Sequence, residues 1–174
     1  MLSTDRYIEI YAILDSADVA PYDCGSLCGS ICCSDQPFGD GGSFIYLLPG
    51  EKEYLDSVGS RMHIDKQRAD EHDLPASWGK YVYIAACPGQ DMCNRPARPI
   101  QCRTFPLQPY ITEAGELEMT MCHMDIPYSC PFLRGEEPVS DAFRRAAYDA
   151  WTLLIEDPAI RDLVELDSKK RRCV

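Results

Sequence analysis

Ten cysteines in 174 residues, nine of them in three groups, constrain this chain more than any other feature. The groups are Cys24, Cys28, Cys32 and Cys33; then Cys87, Cys93 and Cys102; then Cys122 and Cys130. An even cysteine count allows a disulfide scaffold. Two features argue against one. The adjacent pair Cys32-Cys33 fits simple disulfide pairing poorly, and the first fifteen residues mix Asp5, Arg6 and Glu9 with apolar side chains, leaving no continuous secretory core. Without a secretory signal the expected setting is the cytoplasm, where thiols stay reduced and dense cysteine points to metal or catalysis. The three groups are therefore the candidate metal ligands. Cys173, beside the basic run Lys169-Lys170-Arg171-Arg172, is read as a free thiol on a solvated tail.

A metal site needs thiolates that converge from several segments on short, tightly turning loops. The first group alternates with Gly25, Ser26, Gly29 and Ser30, and the second is interrupted by Pro88, Pro96 and Pro99, so both read as loops. The spacing C-x3-C-x3-C-C contains none of the C-x2-C pairs of a zinc ribbon. It also misses the C-x3-C-x2-C of a radical-SAM cluster by one residue, in a chain short for that barrel. Arg95, Arg98 and Arg103 bracket Cys93 to Cys102. Thiolates around iron–sulfur or zinc carry net negative charge that nearby cations offset, which makes Arg98 and Arg103 candidate cofactor-binding residues; pairing with acidic side chains is the plainer role. His123 could ligate zinc but follows Cys122 directly, and adjacent side chains point apart. His63 and His72 lie in charged sequence and read as solvated.

The length suits one domain with a genuine core. A helix is expected over Thr4–Asp15, capped by Thr4 with Ile8, Tyr11 and Ala12 on one face. Strands are expected at Ser43–Leu48 and Tyr81–Ala85, with a short helix from Pro49 to Gly59 between them, its N-terminus complemented by Glu51 and Glu53. Residues 60–79 are polar and unassigned. Leu107–Ile111 and Leu117–Met121 flank Glu113-Ala114-Gly115 as a hairpin. From Val139 a helical stripe runs through Phe143, Ala146, Ala147, Ala150 and Leu154, Pro158 breaks it, and Ala159–Leu166 forms a last short helix. The expected fold is one small α+β domain over 1–174, with short strands, a hairpin and flanking helices organised around the metal site: a core at 24–131, a helical part at 139–166 and a tail at 167–174.

A net charge of −11 argues against a nucleic-acid partner, which needs a basic face. Nothing approaches the ~18 apolar residues of a membrane helix. The remaining partners are a metal ion or cluster, and a protein partner or substrate.

The block Arg98-Pro-Ile-Gln-Cys102-Arg103-Thr-Phe105-Pro106-Leu107 resembles the R-P-x-x-C-R-x-F-P block of the YkgJ-type cysteine-cluster family, described as zinc- or iron-chelating domains. Cys24 to Cys33, Leu48-Pro-Gly-Glu51 and Cys130-Pro131 match its other parts, so the resemblance covers Cys24 to Pro131. The family hallmark is C-x2-C-x2-C-C, whereas the gaps here are three residues long. A similar cluster in the flagellin lysine-N-methylases is associated with a [4Fe–4S] cluster, so the resemblance implies iron–sulfur ahead of zinc. Three functions stay open: an iron–sulfur or metal protein for electron transfer, metal handling or accessory roles; a protein-modifying enzyme; and a structural zinc module. The sequence contains no glycine-rich dinucleotide motif, P-loop or Ser/His/Asp arrangement.

Overall fold

A twelve-residue helix, α1 (Thr4–Asp15), opens the fold, and its cap is the Ser3 hydroxyl, which accepts from the Arg6 N–H at 3.3 Å. The cap therefore falls one residue before the expected Thr4. Tyr7, Ile10, Tyr11 and Leu14 form the buried stripe at i, i+3, i+4 and i+7. Of the expected face only Tyr11 is buried; Ile8 is 53% exposed, because the stripe is centred one residue earlier. The computed structural model describes residues 1–22, 24–33, 43–87, 89, 95–124 and 126–172.

After a one-turn helix, α2 (Gly25–Cys28), come β1 (Phe44–Tyr46), α3 (Glu51–Ser57), β2 (His63–Arg68) and β3 (Tyr81–Ala86). The strands form an antiparallel sheet in the order β1-β3-β2, with Ala85 of the central strand opposite Ile45 on one side and Ile64 on the other. The unassigned polar stretch thus contains an edge strand. Its residues His63-Ile-Asp-Lys-Gln-Arg68 bury no side chain fully and so carry no period-2 signal. Gly50 precedes α3 at φ 92°, where a Cβ would stand 2.5 Å from the Leu2 carbonyl oxygen.

A five-residue helix, α4 (Ile100–Thr104), follows Pro99 and leads into β4 (Leu107–Ile111) and β5 (Leu117–Met121). These strands pair as the expected hairpin, Leu107 opposite Met121 and Ile111 opposite Leu117. The reading of Cys87 to Cys102 as loop alone is corrected at its end, since Cys102 is helical. Pro99 holds no N–H that a helix start would need, which suits that position.

Two long helices complete the fold. Ser140 caps α5 (Asp141–Leu154) by accepting from the Phe143 N–H at 3.1 Å, and the stripe Phe143, Ala146, Ala147, Ala150 and Leu154 is buried as expected, joined by Trp151. Pro158 is the first residue of α6 (Pro158–Arg172), capped by Asp157, whose carboxylate accepts from the Ala159 N–H at 2.9 Å. The last helix has 15 residues, nearly twice the expected length, and the run at 169–172 is its final turn rather than a tail. Ser168 is fully buried on β4: its hydroxyl accepts from the Ile111 N–H at 2.9 Å and donates to the Val164 carbonyl at 2.6 Å. Arg171 and Arg172 lie over the Tyr110 ring at 5.3 and 5.7 Å, and Lys170 pairs with Asp73 at 2.8 Å.

The architecture is α+β with two antiparallel sheets, and it is organised by apolar packing. The larger core joins α1, α3, α5 and α6 with the sheets around Trp151, Tyr7, Tyr11 and Leu55; a smaller one gathers Ala20, Leu107, Phe132, Val139, Phe143 and Ala147 around Cys130. Among the described residues no three His, Cys, Asp or Glu side chains stand close enough to hold a metal ion as placed. The expectation of a fold organised around a metal site is corrected accordingly. No described helix is long and apolar enough to cross a membrane.

Candidate metal centre

Cys24 is the helical N-cap of α2 and Cys28 its last residue, so the three-residue gap places them at i, i+4 on one face. Gly29 then turns left-handed at φ 64°, and Ser30 follows at φ 53°, the one non-glycine residue with positive φ among those described. The Gly25 carbonyl accepts from both of their N–H groups. This reversal leads into a 3-10 turn, Ile31–Cys33, and the sulfurs of Cys32 and Cys33 end 3.9 Å apart. A proton shared between them lowers the Cys32 thiol from its ordinary value and pushes Cys33 up to about 11.

Other elements bring further thiols to the same place. Cys87 leaves β3 with its N–H bonded to the Ser43 carbonyl at 2.8 Å, and its thiol approaches the Cys33 carbonyl at 3.8 Å. Cys102 sits in α4, and Cys122 follows β5 with its N–H on the Pro106 carbonyl at 2.8 Å. Cys24, Cys32, Cys33, Cys87, Cys102 and Cys122 line one cavity of about 340 Å³. The apolar side chains of Phe44, Met62, Phe105 and Ile126 lie among them; Cys102 is exposed and the other five are half-buried. Cys28 lies outside that lining but, like the lining residues Cys24 and Cys102, is within electrostatic reach of Cys32. Cys130 is buried in the smaller core and shares an open groove with Cys122 and His123. Burial raises the Cys122 thiol. Cys93 and Cys173 lie outside the described residues.

The helix that carries Cys102 is fixed by a residue whose sequence position suggests only helix-dipole compensation. Glu51 is fully buried: one carboxylate oxygen accepts from the Tyr11 hydroxyl at 2.9 Å and the Ile100 N–H at 2.7 Å, the other from the Leu48 N–H at 2.9 Å. It thereby ties α1, the turn into α3 and the start of α4 together. Burial raises its carboxyl above the usual range, against the pull of those three bonds.

The two candidate arginines divide. Arg98 lines the cavity and its charge favours the Cys33 thiolate. Arg103 also contributes to the lining, yet its side chain, 2% exposed, pairs with Asp15 at 2.6 Å and lies over the Tyr11 ring at 5.1 Å. The Arg95 side chain is not described. Of the histidines, His123 and His63 are exposed, whereas His72 is half-buried between the Tyr46 hydroxyl at 3.2 Å and the Gln67 amide oxygen at 2.9 Å, correcting its reading as solvated.

Two further residues of the cavity were not among the sequence candidates. Tyr128 is held above its ordinary value by burial and by the neighbouring Cys32, Cys130, Cys122 and Cys102. Arg171 reaches the lining from the last turn of α6 and favours the Cys122 thiolate. Fold and site together define a small α+β protein with a thiol-lined cavity. No family model, curated protein or solved structure matches the chain.

Proposed function

We propose that this is a metal-binding protein of the YkgJ-type cysteine-cluster kind, carrying a cysteine-ligated iron–sulfur cluster, with zinc as the alternative metal. The observation that carries the reading is the convergence of six cysteines, from four separate segments, on one cavity. The donor set fits a thiophilic metal. Thiolate sulfur is the preferred ligand of zinc and of iron–sulfur clusters, and apolar side chains around it limit solvent and tune potential. Cys24, Cys32, Cys33, Cys87, Cys102 and Cys122 would supply the ligands, with Cys28 and Cys130 adjacent. As placed, the sulfurs line walls rather than a closed polyhedron, so binding draws them inward and releases their protons. A bound cluster would supply one-electron chemistry, suiting electron transfer, metal handling or an accessory role.

Anaerobic purification followed by elemental analysis and visible absorption tests the reading. A brown, oxygen-sensitive protein containing iron and sulfide supports the cluster, and a colourless zinc protein selects the alternative metal. Absence of any metal, with the thiols paired as disulfides by mass, would overturn both.

A further inference from the structure

We infer that Arg171 is a charge-compensating residue of the cysteine cavity, offsetting on the Cys122 side the negative charge that bound thiolates bring; the inference rests on the metal-binding reading above. Three cationic side chains line the cavity among the described residues, Arg98, Arg103 and Arg171. Arg103 is committed to Asp15 at 2.6 Å. Arg171 instead donates to neutral oxygens, the Pro109 carbonyl at 2.5 Å, the Asp167 carbonyl at 3.2 Å and the Thr120 hydroxyl at 3.4 Å, and makes no ion pair among the described residues. Those acceptors, with the Tyr110 ring beneath, fix its orientation. A half-buried guanidinium held by neutral groups has lost hydration without gaining a close counter-charge. Thiolates converging around a metal supply that counter-charge.

Asp167 lines the same cavity, and its charge acts on Arg171. Its own nearest cation, Lys170, stands 3.8 Å away. Asp167 carries the opposite charge on the same wall, so it is expected to disfavour gathered thiolates where Arg171 favours them. The opposed signs give a test that structural damage cannot imitate.

Reduced protein is loaded anaerobically in two arms, with Zn²⁺ and with ferrous iron plus sulfide, and metal release to a chelator is timed. Wild type is compared with Arg171→Gln, Arg171→Lys and Asp167→Asn, with Cys102→Ser as control. Glutamine keeps hydrogen-bonding capacity without charge, and lysine keeps charge without the fork. Arg171→Gln is expected to release metal roughly tenfold faster or more. Arg171→Lys should lie closer to wild type than to the glutamine variant, and Asp167→Asn should release more slowly than wild type. The inference is overturned if Arg171→Gln matches wild type, if lysine fares no better than glutamine, or if Asp167→Asn is no slower. Should Arg171→Gln fail to fold, the Asp167→Asn result decides. If Cys102→Ser holds as much metal as wild type in both arms, the metal site itself fails, and this inference with it.

Discussion

Replacing Glu51 with alanine should be among the most damaging single changes in this protein. The carboxylate is fully buried and receives three hydrogen bonds, from Tyr11, Leu48 and Ile100. Its removal strands one hydroxyl and two backbone N–H groups, each costing about 1–3 kcal/mol when left unsatisfied. Relief of the buried carboxylate's own desolvation offsets part of this, and the expected net loss is about 3–5 kcal/mol. Against a typical domain stability of about 5–15 kcal/mol, that is a large fraction. Glu51→Gln keeps shape but turns one acceptor into a donor facing a donor, and should cost about 1–3 kcal/mol. Urea unfolding of the reduced, metal-free protein measures both. The pH dependence separates charge from shape. Because burial raises the native carboxyl above its unfolded value, the native state holds its proton longer. Its contribution is then fully present below the unfolded value and is lost as pH rises through the native one. Glu51→Gln should flatten that slope. An alanine variant within ~1 kcal/mol of wild type would refute the argument, since three orphaned donors cost more than that.

Two further outcomes are expected. Stripping metal from loaded protein should lower its melting temperature, because the candidate ligands join segments far apart in sequence and metal binding then adds to folding stability; an unchanged thermal midpoint after chelation counts against this. Gly50→Ala should cost about 1–3 kcal/mol by chemical denaturation, since its φ of 92° strains any L side chain and the new Cβ would meet the Leu2 carbonyl oxygen at 2.5 Å. A neutral result there would mean that the N-terminal segment yields without cost.

What the sequence shows clearly is what local pattern dictates. The β4–β5 hairpin and the stripe of α5 are legible because period-2 and period-3.6 patterns are written into consecutive residues. The edge strand β2 is not, since a polar strand packed on one side only by its neighbour lacks alternation. Helix α4 is hidden by the prolines before it. The cysteines are legible as a candidate site because thiol chemistry needs no geometry to be noticed, and six of the nine line one cavity. Glu51, Tyr128 and Arg171 are not, because each acquires its role from residues distant in sequence. A signal for Arg171 did exist. The buried positions Ile160, Leu163, Val164 and Ser168 continue in helical register to residue 171, so the stripe outlasts the apolar residues and ends on an arginine.

The placement of that arginine also sets an order on biosynthesis. Cys24, Cys32 and Cys33 are translated well before α6, yet the cavity they line takes part of its wall from Asp167 and Arg171 on that helix. At ~5–20 residues per second, the roughly 140 residues between Cys33 and Arg171 take about 7–28 seconds to make. During that interval these thiols lack their finished enclosure and stay reactive toward stray metals and oxidants. The cavity is therefore complete only after the last of these segments is made, and any carrier that shields the nascent thiols would act on the unfinished chain rather than on the folded protein.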